Sequence, residues 1–155
     1  MPLEIERKYL LRNNDWQLNA DAGTDYVQGY IVGSNKASVR VRIEGDKAFL
    51  NIKGATLSVT RKEYEYEIPL DEAQEMLNGL CDTPFIEKTR YIVHENDLEW
   101  EVDVFKGDNK GLIVAEIELT SEDQQIELPG WCGQEVSSDT RYYNVCLVKH
   151  PFNQW

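Results

Sequence analysis

The chain has 155 residues, which suits a single domain over 1–155 and is long enough to bury a core without disulfide staples. It is 41% hydrophobic and 28% charged, with a formal net charge of −12, which excludes a disordered chain and non-specific binding to nucleic acid or anionic membrane. Any anionic ligand therefore needs a local basic cluster that overcomes the global field.

In chain order, alternation of apolar and polar residues predicts eight strands, over 2–11, 25–32, 36–44, 47–54, 58–68, 85–95, 98–106 and 112–120. Turn residues separate several of them: Gly33-Ser34-Asn35, Gly45-Asp46, Asn96-Asp97 and Gly107-Asp108-Asn109. The tight turns at Gly45-Asp46 and Asn96-Asp97 argue for antiparallel hairpins. Three short helices are predicted. One covers 13–20. The second, over 70–79, takes Asp71 as its cap and Gly79 as its end, and the third, over 138–149, is capped by Ser138 or Asp139. The fold class is therefore β-rich α+β.

The N-terminus, Met1-Pro2-Leu3-Glu4-Ile5-Glu6, lacks the apolar stretch of a secretory signal, and no segment is apolar for long enough to span a bilayer as a helix. Cys81, Cys132 and Cys146 are odd in number, widely spaced and form no C-x-x-C pair, so they read as reduced thiols in a cytoplasmic protein. His94 and His150 are too few and too distant for a histidine-based zinc site.

Nearly every strand has one apolar and one charged face. Glu4, Glu6 and Lys8 share a side, as do Arg40 and Arg42, then Lys53, then Arg61, Glu63, Glu65 and Glu67. Lys88 pairs in this way with Arg90, Glu99 with Glu101 and Asp103, and Glu116 with Glu118. An ordinary half-solvated sheet would also alternate. However, the charged faces are poor in Ser, Thr and Gln, and they hold seven of the sixteen basic residues of an acidic protein. Closing eight strands into a barrel with the charges inside resolves this and removes the exposed edges. Arg and Lys suit phosphate oxygens. Carboxylates two residues apart on a strand, roughly 6.5 Å, suit Mg²⁺ or Mn²⁺.

The first strand reads Glu4-Ile5-Glu6-Arg7-Lys8, an ExExK pattern. Arg40-x-Arg42, Lys53, Glu63-x-Glu65, Lys88-x-Arg90, Asp103 and Glu116-x-Glu118 follow in order. Over about residues 1 to 150 this resembles the CYTH superfamily, the triphosphate tunnel metalloenzymes, and most of all its compact bacterial members. The resemblance implies a closed eight-stranded antiparallel tunnel that binds a small-molecule triphosphate. Glu4, Glu6, Glu116 and Glu118 match metal ligands, and Asp103 is an expected contributor. Lys8, Arg40, Arg42, Lys53, Lys88 and Arg90 match phosphate-binding residues, and Glu63 and Glu65 match supporting acidic positions.

The expected reaction is Mg²⁺- or Mn²⁺-dependent hydrolysis of tripolyphosphate to diphosphate and phosphate, with Lys8, Glu4 and Glu6 at the catalytic end. No Ser–His or Cys–His pair is visible, which points away from a side-chain nucleophile. Class IV adenylyl cyclase, thiamine or nucleoside triphosphatase, and a non-catalytic polyphosphate-binding module are the alternatives, and a homodimer is left open. Arg61, Glu99 and Glu101 read as solvated charges. Tyr30 reads equally as a phosphate contact or a packed ring, Arg141 as a helix pin, and Trp16, Trp100, Trp131 and Trp155 as packing or surface cover. Removing one lumenal charge, cation or carboxylate, is expected to leave the ligand-free barrel no less stable, because like charges are crowded there.

Overall fold

The computed structural model describes residues 3–54 and 59–155. Eight strands form a closed antiparallel barrel: β1 (Leu3–Leu11), β2 (Thr24–Gly33), β3 (Ala37–Glu44), β4 (Lys47–Gly54), β5 (Thr60–Ile68), β6 (Ile86–Glu95), β7 (Leu98–Phe105) and β8 (Ile113–Glu118). The order is β5-β4-β3-β2-β6-β7-β8-β1, and β1 returns to β5 through Leu3–Ile5 against Thr60–Lys62. The eight predicted strands match these within two residues at each end. Pro2 and Ser58, the predicted outer ends of the first and fifth strands, lie outside the described residues. Left-handed backbone at Gly45 (φ 62°), Asn96 (φ 55°) and Asp97 (φ 59°) turns the two tight hairpins where the sequence placed them.

A ninth strand, β9 (Cys132–Glu135), was not expected. It joins the edge of β1 beyond the reach of β5, with Tyr9 opposite Glu135 and Leu11 opposite Cys132. Four residues containing Gly133 and two polar side chains carry no alternating signal. The glycine is needed because a Cβ there would stand 3.0 Å from the Leu10 carbonyl oxygen.

The helices differ from expectation in detail. The first is a 3₁₀ turn over Asp15–Asn19 that plants Trp16 in the core. α1 (Leu70–Leu80) starts after Pro69, so Asp71 lies in the first turn, favoured there by the helix dipole, and makes no cap. Gly79 does not end α1, which runs on to Leu80. The predicted helix over 138–149 is broken into a 3₁₀ turn (Thr140–Tyr142), with Asp139 accepting from the Arg141 N–H, and α2 (Asn144–Lys149).

Three apolar clusters position the barrel. Outside it, Tyr9, Val93, Trp100, Val102 and Ile117 pack against Trp16 and Trp131, with Trp100 edge-on to both Tyr9 and Trp131. Also outside, Ala73 and Leu77 of α1, one turn apart, cover Val41 and Ala48. The third cluster is internal. Tyr30, Ile86, Phe105 and Val114 share strand phase with the charged residues, so they face inward, and Tyr142, Leu147 and Val148 pack on them. An apolar plug thus fills one end of the barrel, and the charged residues line the rest.

Candidate active site

The charged faces point inward and enclose a cavity of about 360 Å³. Its wall carries Lys8, Arg40, Arg42, Lys53, Lys88 and Arg90, together with Glu4, Glu6, Glu63, Glu65, Glu116 and Glu118. Strand register explains the convergence. Glu6 lies opposite Glu118 and Lys8 opposite Glu116 across β1 and β8, while Lys53 faces Glu63 across β4 and β5. Each inward residue therefore meets an inward partner on the next strand.

Nearly all of these charges are paired with one another. The Lys8 ammonium donates to Glu116 at 2.8 Å and Glu6 at 3.3 Å. Lys53 reaches Glu4 at 3.1 Å and Glu63 at 3.3 Å. Arg42 bridges Glu44 at 3.2 Å and Glu65 at 3.1 Å. Arg90 contacts Glu101 and forks onto both oxygens of Asp103, at 2.8 and 2.9 Å. Among the described residues Arg40 makes no ion pair, and its Nε is buried without a hydrogen-bond partner.

The electrostatics follow from this pairing. Burial opposes the charge on Lys8, but Glu116 and Glu6 outweigh it and raise its pKa. Burial likewise opposes ionised Glu116, yet Lys8, Arg90 and Lys88 hold it well below the usual carboxylate range. Burial lowers Lys88 to about 8, with Asp103 pulling upward and Arg90 pushing down. Glu4 is raised by burial and by its neighbour Glu63. Glu118 is raised by burial and by the negative charge of Glu4 and Glu6.

Asp103 lies deeper than the other carboxylates. It is completely buried behind the cavity wall, and both its oxygens are taken by Lys88 and Arg90. Its place is to aim those two cations. Among the described residues no group of three or more His, Cys, Asp or Glu stands gathered at metal-binding geometry, because the carboxylates are drawn onto lysines and arginines.

Two expectations are overturned. Arg61, read as an exposed salt-bridge partner, turns into the cavity and contacts Glu4 at 3.3 Å and Glu6 at 3.5 Å. Glu101, read as solvated, also lines the cavity, where burial and the nearby Glu116, Asp103 and Glu6 raise its pKa to about 7 against the pull of Arg90. Both share strand phase with neighbours correctly placed inside, Glu63 and Asp103, so alternation held the signal. Glu99 is exposed beside His94, as expected.

Tyr30 is both a packed ring and part of the cavity wall. Arg141 pins its own turn through Asp139, and the tryptophans pack or cover as read. Tyr26, Glu44, Tyr143 and Asn144 also line the cavity, and Glu44 shares strand phase with Arg40 and Arg42.

The CYTH domain model matches residues 2–146. The chain belongs to the CYTH domain family. Over its full length this CYTH domain is 45% identical to an inorganic triphosphatase of Acetivibrio thermocellus, covering 99% of that protein. An inorganic triphosphatase of Nitrosomonas europaea is 36% identical over 150 residues, 94% of this chain and 96% of that one. The crystal structure of an inorganic triphosphatase superposes with a TM-score of 0.66 at 33% identity, covering 96% of this chain and 95% of that one. The barrel described above is the fold these proteins share.

Proposed function

We propose that this chain hydrolyses inorganic triphosphate to diphosphate and phosphate within the barrel, with a divalent cation as cofactor. One observation carries the reading: register places seven cations and the carboxylates of Glu4, Glu6, Glu116 and Glu118 around one cavity in a protein of net charge −12. Full-length relatives named inorganic triphosphatase support the same chemistry.

Glu4, Glu6, Glu116 and Glu118 fit a divalent ion. They are hard oxygen donors on the adjacent strands β1 and β8, with Glu6 directly opposite Glu118. When bound, such an ion supplies charge neutralisation for phosphoryl oxygens and Lewis acidity. Asp103 stays with Lys88 and Arg90.

The side chains of the protein do the rest by position. Arg40, which has no carboxylate to release, offers its guanidinium to a phosphate directly. Arg42, Lys53, Lys88 and Arg90 exchange carboxylate partners for phosphate oxygens of similar geometry. Lys8 stands between Glu6 and Glu116, where its ammonium can donate to a phosphoryl oxygen beside the carboxylates. Binding a triphosphate and a divalent ion together keeps every lumenal charge paired. Binding either alone leaves one set unpaired.

The test is phosphate release from tripolyphosphate, ATP and thiamine triphosphate with Mg²⁺, Mn²⁺ or excess chelator. Tripolyphosphate should turn over fastest, chelation should stop it, and either ion should restore it. Tight binding without turnover would assign a polyphosphate-binding module, and cyclic AMP from ATP would assign a cyclase.

A further inference from the structure

Three of the lumenal cations rest on one aromatic ring. The ring centroid of Tyr26 is 4.8 Å from Arg90, 5.5 Å from Arg42 and 5.8 Å from Lys88. All three fall within the roughly 6 Å over which a ring face attracts a cation. Strand register makes this arrangement. Tyr26 lies directly opposite Lys88 on β6 and Glu44 on β3, and the flanking inward positions on those two strands are Arg90 and Arg42. Two more rings continue the pattern, Phe49 at 5.4 Å from Arg42 and Phe105 at 5.6 Å from Lys88.

An aromatic spacer does something a carboxylate cannot. A carboxylate holds a cation by cancelling its charge, and an arriving phosphate must then displace it. A ring holds a cation through its quadrupole and leaves the net charge intact. Arg42, Lys88 and Arg90 are mutually repulsive, and between them only Asp103 is fully buried as a counter-charge. All three also hold carboxylates, Arg42 with Glu44 and Glu65, Lys88 with Asp103, and Arg90 with Glu101 and Asp103, so the ring is the contact that stays in place when a phosphate takes over from those partners.

We propose that Tyr26 is a positioning residue for substrate, whose ring keeps Arg42, Lys88 and Arg90 apart and aimed into the cavity while a triphosphate replaces their carboxylate partners. The inference rests on the triphosphate reading above. The working part of the residue is the ring face. Its hydroxyl is secondary.

The experiment measures binding of a non-hydrolysable tripolyphosphate analogue by calorimetry with Mg²⁺, and KM and kcat for tripolyphosphate with Mg²⁺, for the wild type and for Tyr26→Phe, Tyr26→Leu and Tyr26→Met. Tyr26→Phe keeps the face and should bind within about twofold of wild type. Tyr26→Leu and Tyr26→Met lose it and should bind about tenfold more weakly, with KM raised and kcat nearly unchanged. Two ringless variants guard against one failing to fold. Ringless variants that bind like the wild type overturn the proposal, as does a Tyr26→Phe as weak as Tyr26→Leu, which would assign the effect to the hydroxyl. A ringless loss confined to kcat overturns it too. If the wild type itself binds no tripolyphosphate, the functional reading fails first and this inference with it.

Discussion

Glu116 and Glu4 are both matched to metal ligands, yet their neutral variants should affect the ligand-free barrel differently. Glu116→Gln removes the carboxylate that accepts from Lys8 at 2.8 Å, and the side chain of Lys8 is only 7% exposed. Removing one partner of a buried pair costs about 3–5 kcal/mol when the other charge is stranded. Lys8 is not stranded, because Glu6 remains at 3.3 Å and the new amide oxygen can accept. The expected loss is that of one charge-assisted hydrogen bond, about 1.5–3 kcal/mol. For a chain of this size that lowers Tm by roughly 3–12 °C.

Glu4→Gln is different. Lys53 keeps Glu63, Arg61 keeps Glu6, and the removed charge is one that burial and Glu63 already disfavour. Its melting point should stay within about 2 °C of wild type or rise. This replaces the sequence-based expectation that no lumenal charge contributes to stability. Calorimetric melting of both variants in chelator near neutral pH decides it. A Glu116→Gln that melts like the wild type beside a Glu4→Gln that melts lower would refute the ranking of these ion pairs.

Arg61→Ala should lower kcat/KM for tripolyphosphate by roughly 10- to 150-fold, the range for losing one charge-assisted contact, while the exposed neighbour substitution Lys62→Ala should leave it unchanged; equal effects would return Arg61 to the surface. Asp103→Asn should raise KM without raising the Mg²⁺ concentration for half-maximal activity, because Asp103 aims Lys88 and Arg90 from behind the wall; a shifted metal requirement would make it a ligand. Asp139 has its pKa lowered by Arg141, so the pair stabilises the turn above the ordinary aspartate pKa of about 4 and loses that contribution as pH falls through the lowered value. The small Tm gap between wild type and Asp139→Asn should therefore close on acidification, and a gap that widens would contradict the assignment.

The barrel was legible because period-two alternation survives in every barrel strand, and because a charged face so poor in Ser and Thr is a poor solvent face. The same phase argument reached Glu4 through Glu118 along the chain. Phase also places Arg61 and Glu101 inside, although charged residues on a strand are often solvated. What alternation cannot report is depth. Asp103 and Glu101 share a face, yet one lies buried behind the cations and the other on the cavity wall. Nor can it report which face-sharing residues become neighbours across strands, which is why Tyr26 went unread. The short β9 and Ser137 beyond it were invisible for a different reason: their work is done by backbone and hydroxyl. The Val136 N–H donates to the Lys8 carbonyl oxygen at 2.8 Å, and the Ser137 hydroxyl accepts from the Lys8 N–H at 3.0 Å, so this segment fixes the strand at its functional lysine.

Charge balance explains why an acidic protein can present such a site. Seven cavity-lining side chains are Lys or Arg and eight are Glu, so the lumen is within one charge of neutral while the whole chain carries −12. A lumen of bare cations would bind polyanions indiscriminately and repel itself apart. A lumen whose charges are nearly all paired is stable when empty and selective when offered ligands. A polyanion alone must evict carboxylates into an already negative interior, and a divalent ion alone must evict lysines and arginines. Only a ligand pair that brings both signs, with phosphate oxygens for the cations and a hard cation for the carboxylates, re-pairs every group at once. The residues that hold the empty barrel together are therefore the same ones that a ligand must re-pair.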